Sequence, residues 1–281
     1  MQRLIYGRFD EGSLGIGEMM DLGDELGVPF TMFLDVAERV SYGDEIDDVG
    51  RYIADRGHDL QLHFHPEVLP ESYWRERGLS TPQGKRWNYS KAHVDASMAD
   101  AMAWFGEIAG HPPVAYRAGS FQINADWLRS AASHGVVVSS NHSYQSYTNQ
   151  GREPVAPPDV GHFRWDLGLV ELPVSQVLAD DVWRSFSVPM NAKHDPYYTK
   201  MLQAFAERDT TTPVVLLLHS WSLLGYGGDK RRRMNGIATH RMRKLRRILE
   251  FAAEHFQPIG MQQYAQMDLA GLPVRPFPLD G

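Results

Sequence analysis

Short apolar runs and amphipathic stretches alternate along the whole chain, and this alternation restricts the fold more than any other feature of the sequence. Residues 2–9, QRLIYGRF, read as a strand, and 13–27 as a helix carrying Leu14, Met19, Leu22 and Leu26. VPFTMFLDV is the next strand, followed by a helix over 44–56 with Ile46, Val49 and Ile53 on one face. HDLQLHF is a third strand, and ASMADAMAWFGEIAG ends a long helix on Gly110, a C-terminal cap. PVAYR, VVVSS, LVELPV and VVLLLH have the composition of buried strands, with QPIGM as a last short one. Helices are expected near 124–134, 195–207 and 239–255.

Strand–helix alternation implies a parallel sheet. About seven or eight strands in 281 residues fit an α/β barrel better than an open sheet with a second domain. No repeat, low-complexity tract or linker marks a boundary, so the expectation is one domain over 1–281. Three long polar connections, 66–90, 142–164 and 220–237, are of the length that carries function in compact domains.

Composition narrows the function. The chain has no cysteine, which excludes disulfides, thiolate metal sites and a cysteine nucleophile. A formal charge of −7 argues against nucleic acid as the main partner. The opening segment MQRLIYGRFDEG lacks a signal-peptide apolar core, and no stretch approaches the roughly 18 apolar residues of a membrane span. The expectation is a cytoplasmic protein.

Groups capable of chemistry recur just after the expected strands. Asp10 and Glu11 follow the first, His63 and His65 the third, Arg117 follows PVAY, and His219 follows VVLLL. Strand C-termini converge on one mouth of a parallel barrel, so these residues could meet despite their sequence separation. A single histidine is more often an ordinary polar residue, but a surface residue has no reason to repeat this placement. His63 and His65, two residues apart, project to one face of a regular strand. Two imidazoles and a carboxylate from Asp10 or Glu11 suit zinc or a similar divalent ion with water in the open position. His58 lies too early on its strand and is read as structural.

The ordered set FDEG (9–12), TMFLDV (31–36), GHDLQLHFHP (57–66), YRAGSF (116–121), ELPVS (171–175) and LLLHSW (216–221) resembles the polysaccharide deacetylase family of carbohydrate esterases, the NodB-homology domain, over about residues 5–265. The resemblance implies a distorted (β/α) barrel of seven or eight strands and a metal-dependent hydrolase that removes an N-acyl group, acetyl in the usual case, from an amino sugar. The family's Thr-Phe-Asp-Asp motif is matched by Arg8-Phe9-Asp10-Glu11, which implies Asp10 as general base and Glu11 as metal ligand. The family's His-x-x-x-His places His63 at its first histidine and Glu67 at its second. His65 is the implied substitute ligand, with Glu67 left open. Arg117 matches the arginine that steadies the base, although the usual Arg-x-Pro-Tyr is here Arg117-Ala118-Gly119-Ser120. Leu217-Leu218-His219 matches the final Leu-x-His, whose histidine is the general acid, and Asp166 and Glu171 are both candidates for the acid that tunes it. The departures resemble divergent deacetylase-like proteins of bacterial surface-polysaccharide (O-antigen) gene sets, which implies a nucleotide-linked or lipid-linked sugar as substrate.

Tyr73, Trp74 and Trp87 in the loop after the histidines, and Trp221 after His219, are placed to stack on a sugar or to cover the loop bases. The run Lys230-Arg231-Arg232-Arg233 is a solvated face or a seat for phosphates of an activated sugar. Two alternatives compete. Gly15-Ile16-Gly17 with Asp35 imitates a dinucleotide fingerprint, although Met20 stands where its third glycine belongs. A non-catalytic glycan-binding or scaffold protein, descended from an enzyme, fits the altered second and third motifs. Amidohydrolases and PHP-type phosphatases carry His-x-His on a first strand, whereas two strand–helix units precede the pair here.

Overall fold

The computed structural model describes residues 1–179, 181–186, 195–207, 212–226, 232–234 and 236–278. In chain order the strands are β1 (Arg8–Phe9), β2 (Gly12–Ser13), β3 (Thr31–Asp35), β4 (Asp59–Phe64), β5 (Ala115–Ala118), β6 (Val138–Ser139), β7 (Phe163–Trp165), β8 (Val170–Glu171), β9 (Gln176–Ala179), β10 (Val182–Ser185), β11 (Gly225–Tyr226), β12 (Arg232–Arg233) and β13 (Val274–Arg275). The chain divides into two units, Met1–Phe30 with Ser175–Ile259, and Thr31–Val174 with Gly260–Gly281. All three crossings fall inside or directly beside the apolar runs VPFTMFLDV, LVELPV and QPIGM rather than in polar connectors, which is why composition shows no boundary.

The second unit holds a seven-stranded sheet in the order β13-β7-β8-β6-β5-β4-β3. Every neighbouring pair is parallel except β7 and β8. Helices Asp44–Asp55, Lys91–Ala109 and Ala125–Ser133 connect the strands from β3 to β6. Ile46, Val49 and Ile53 are buried, as their spacing predicts. Gly110 closes the long helix in the left-handed conformation, φ 74°, where a side chain would strain the backbone. On β4, Leu60, Leu62 and Phe64 fill the core on one face. Gln61, on the other face with His63, accepts the Val114 and Ala115 N–H groups at 3.0 and 2.8 Å and stitches β4 to β5.

The first unit is built from the hairpins β1–β2, β9–β10 and β11–β12 and the helices Ile16–Leu26, Asp195–Ala206 and Gly236–His255. Its core gathers Leu14, Met19, Leu22, Phe186, Leu202, Leu223, Leu245 and Leu249.

The fold is α/β with a mostly parallel sheet, as expected, but among the described residues the sheet is open, with β3 and β13 at its edges. The two strands expected at the ends of the barrel are the reason. Of residues 2–9 only Arg8 and Phe9 are strand, and they turn back on Gly12–Ser13. VVLLLH contributes a single bridge at Leu217 rather than a ladder. Conversely, β7 and β13, too short for any periodicity, extend the other edge. QPIGM forms no strand, and Met261 opens a short helix. Lys230 and Arg231 of the basic run lie outside the described residues.

Candidate metal centre

The C-terminal ends of β3, β4 and β5 set Asp35, His63 and Arg117 side by side, because Asp35 pairs with His63 and His63 with Arg117 in the parallel register. The strand alternation that buries Leu62 and Phe64 on one face turns these three polar side chains to the other. His63 Nδ1 lies 2.6 Å from the Arg117 carbonyl oxygen. His65 follows immediately after β4, and its ring meets that of His63 edge-on, with centroids 4.7 Å apart. The His65 backbone N–H donates to Asp35 Oδ1 at 3.1 Å, which fixes where the chain leaves the strand. His65 Nδ1 lies 2.7 Å from Glu67 Oε1.

Each ring thus faces an oxygen acceptor at Nδ1, a backbone carbonyl for His63 and a carboxylate for His65. Metal-binding histidines carry such partners on the nitrogen opposite the ligand atom. The pair therefore fits half of a divalent-metal site, with the two Nε2 atoms as ligands. Among the described residues no group of three or more histidine, aspartate or glutamate side chains is gathered to hold an ion.

Glu67 also receives Arg86 Nη1. Burial would raise the Glu67 carboxyl, but hydrogen bonding and charge from His65, with Arg86, hold it below the usual range. Burial pushes the Asp35 carboxyl up to about 6, against the attraction of His65. The sequence weighed Asp35 only as part of a dinucleotide site. The register of TMFLD against HDLQLHF is what brings it beside the histidines.

Arg117 is buried, and burial lowers it to about 10, so it remains charged at neutral pH. Its guanidinium donates to Ser140 Oγ at 2.8 Å and lies over the Phe33 ring. Glu171 is fully buried and accepts from Ser139 Oγ, Asn141 N, His142 N and Trp165 Nε1 at 2.5 to 2.8 Å. Four donors, with burial that raises the carboxyl, make Glu171 a structural hub of the strand ends. Asp166 is exposed and accepts Phe277 N–H at 3.1 Å.

In the first unit, Asp10 and Glu11 form the exposed two-residue tip of the β1–β2 hairpin, not the end of a sheet strand. His219 is exposed, its N–H donates to Ser222 Oγ at 2.8 Å, and its ring stacks on Trp221 at 4.8 Å and 19°. Trp74 corrects the expectation of a stacking platform. It is 1% exposed and its ring is enclosed by Tyr73, Tyr89 and His93, so it holds the loop base together. Trp87 is half-buried beneath the Arg152 guanidinium. The dinucleotide reading also meets an obstacle. Glu18 Oε2 takes the Gly15 N–H at 2.7 Å, which puts a carboxylate at the helix N-terminus that a pyrophosphate would need.

No family model matches the chain, and no curated protein matches it. Solved structures do. A Mycobacterium smegmatis protein assigned to the polysaccharide deacetylases matches at 20% identity over 90% of this chain and 76% of that one, with a TM-score of 0.57. A Pseudomonas aeruginosa PAO1 protein given the same assignment matches at 15% identity over 90% of this chain and 71% of that one, with a TM-score of 0.56. The Puue allantoinase matches at 15% identity over the same 90% and 71%, with a TM-score of 0.55. One fold here carries two differently named activities, so the likeness speaks to architecture and not to substrate. The chain has the α/β fold of the polysaccharide deacetylase structures.

Proposed function

We propose that this protein is a metal-dependent hydrolase that removes an N-acyl group, acetyl in the simplest case, from an amino sugar used in bacterial surface-polysaccharide assembly. The observation that carries the reading is the His63–His65 pair, each ring backed at Nδ1 by an oxygen acceptor at 2.6 or 2.7 Å. The motif resemblance and the fold support it. Zinc is the ion of choice for two imidazoles, and no described helix is long and apolar enough to cross a membrane. Cytoplasmic location and a nucleotide-linked or lipid-linked substrate belong to the same proposal.

His63 and His65 would hold the ion, with Glu11 as the third ligand that the resemblance implies. When bound, the ion supplies Lewis-acid polarisation of the acyl carbonyl and acidifies a coordinated water. Asp10 takes the proton of the attacking water. His219 gives a proton to the departing amine, a task for which imidazole is suited near neutral pH. Trp221, stacked on His219, fixes the ring's plane and offers its indole to the sugar. Arg117 braces the strand ends through Ser140 and contributes a positive charge behind His63.

The test is acetate release from N-acetylated amino sugars, free and nucleotide-linked, by protein loaded with zinc or cobalt. His63→Ala should abolish both binding and release with the fold intact, whereas His219→Ala should keep the metal and lower turnover by about 100-fold or more. Zinc bound normally by His63→Ala overturns the metal assignment. The exposed placement of Asp10 and Glu11 favours one second reading, a glycan-binding protein without catalysis. Glycan binding with neither metal uptake nor release would select it.

A further inference from the structure

Arg86 is not part of any motif, yet it is the most enclosed charge near the two histidines. Only 5% of the residue is exposed. Its Nε donates to Gln122 Oε1 at 3.2 Å, and its carbonyl accepts the Trp127 indole N–H at 3.1 Å, so its main chain and its side chain are both anchored. From this seat Nη1 reaches Glu67 Oε1 and lies 3.0 Å from His65 Nδ1. A guanidinium only donates, so Nδ1 either accepts from Arg86 or donates to Glu67. The contact with Glu67 is the shorter of the two, at 2.7 Å, and its acceptor is a carboxylate, to which Arg86 Nη1 also directs one of its N–H groups. Glu67 Oε1 is then the common acceptor, and the imidazole carries its proton on Nδ1.

We infer that Arg86 is a positioning residue which, by pinning Glu67, holds His65 in the Nδ1–H tautomer with Nε2 presented as the ligand atom. The inference deepens the proposed metal centre and rests on it for its purpose. It also assigns Glu67 a role. At the position where the family's second histidine would fall, Glu67 orients the substitute ligand instead of ligating. Gly119 belongs to the same device, because a Cβ there would fall 2.4 Å from both Arg86 Nη1 and His65 Nδ1. A side chain at this position would have to displace the guanidinium or the imidazole.

The test uses the metal-free and the cobalt-loaded full chain. Nitrogen-15 NMR of the metal-free protein should show His65 protonated on Nδ1. Glu67→Ala, a half-exposed position that tolerates truncation, and Arg86→Met should each move His65 towards the Nε2–H form. They should also weaken cobalt affinity by about 10- to 100-fold, while far-ultraviolet circular dichroism stays native. Arg86→Lys, which keeps the charge but not the fork, should recover only part of the affinity. An Nε2–H ring in the wild type, or an Nδ1–H ring unmoved by Glu67→Ala, overturns the inference. If the wild type takes up no cobalt, the metal proposal fails on its own, and the tautomer measurement still decides the link from Arg86 through Glu67 to His65.

Discussion

Gly119 has room for a hydrogen and nothing more, since a methyl carbon would lie 2.4 Å from His65 Nδ1 and 2.5 Å from its Cε1. Gly119→Ala must therefore displace the imidazole or the guanidinium. Cobalt titration should show a loss of affinity comparable to that of Glu67→Ala, about 10- to 100-fold, with little change in unfolding temperature. Unchanged affinity would mean that the 119–121 segment yields instead. His142 offers a second measurement at a single residue. Burial lowers its pKa to about 4, so the folded protein keeps the ring neutral where the unfolded chain, near 6.5, protonates it. Between these values the unfolded state binds more protons, so stability rises with pH from about 4 to about 6.5 and is lost on acidification through the same window. The full effect is on the order of 3 kcal/mol. Urea unfolding across this range should show a shallower acid limb in His142→Gln than in the wild type, and parallel limbs would refute the assignment.

Among the elements, β4 is the one most fully readable from sequence. Its alternation places Leu60, Leu62 and Phe64 in the core and His63 on the opposite face, and Pro66 ends the extended run. Helices with a strong apolar stripe were equally plain, as Ile46, Val49 and Ile53 show. The hairpin at Arg8–Ser13 was not, because an apolar run fixes burial but not the partner strand, and here the chain turns back at Asp10–Glu11 into Gly12, whose φ is 138°. Arg86 escaped for a different reason. A lone arginine in a polar loop looks solvated, and only the folded loop shows that Gln122 and Trp127 enclose it. Trp74 failed in the opposite direction, since a tryptophan beside a candidate site can serve the sugar or the loop core with the same sequence signature. The network at β8 gives the element-scale prediction. Glu171→Ala strands two backbone N–H groups, a serine hydroxyl and an indole N–H in the interior, at a cost of about 3 kcal/mol or more. Chemical denaturation should show that loss, and a change under 1 kcal/mol would mean that water replaces the carboxylate.

At the scale of the molecule, the expected ligands belong to different units, Glu11 to the first and His63 and His65 to the second. Metal linkage can establish which of them act on one ion. An ion that binds only the folded chain stabilises it by about 2.7 kcal/mol when its free concentration is roughly 100-fold above Kd. For a chain of this size that raises Tm by several degrees. Thermal unfolding with saturating zinc should therefore show a clear upward shift in the wild type and none in His63→Ala. Glu11→Ala is the decisive variant, because its side chain is exposed and its removal has little effect on the metal-free protein. Loss of the zinc-induced shift in Glu11→Ala would support its carboxylate as a ligand of the ion held by the histidines. A shift retained in full would exclude Glu11 as a ligand, and Asp10 would be the next carboxylate to remove. Because both variants are compared with and without zinc, the difference between the two scans isolates binding from any change in intrinsic stability.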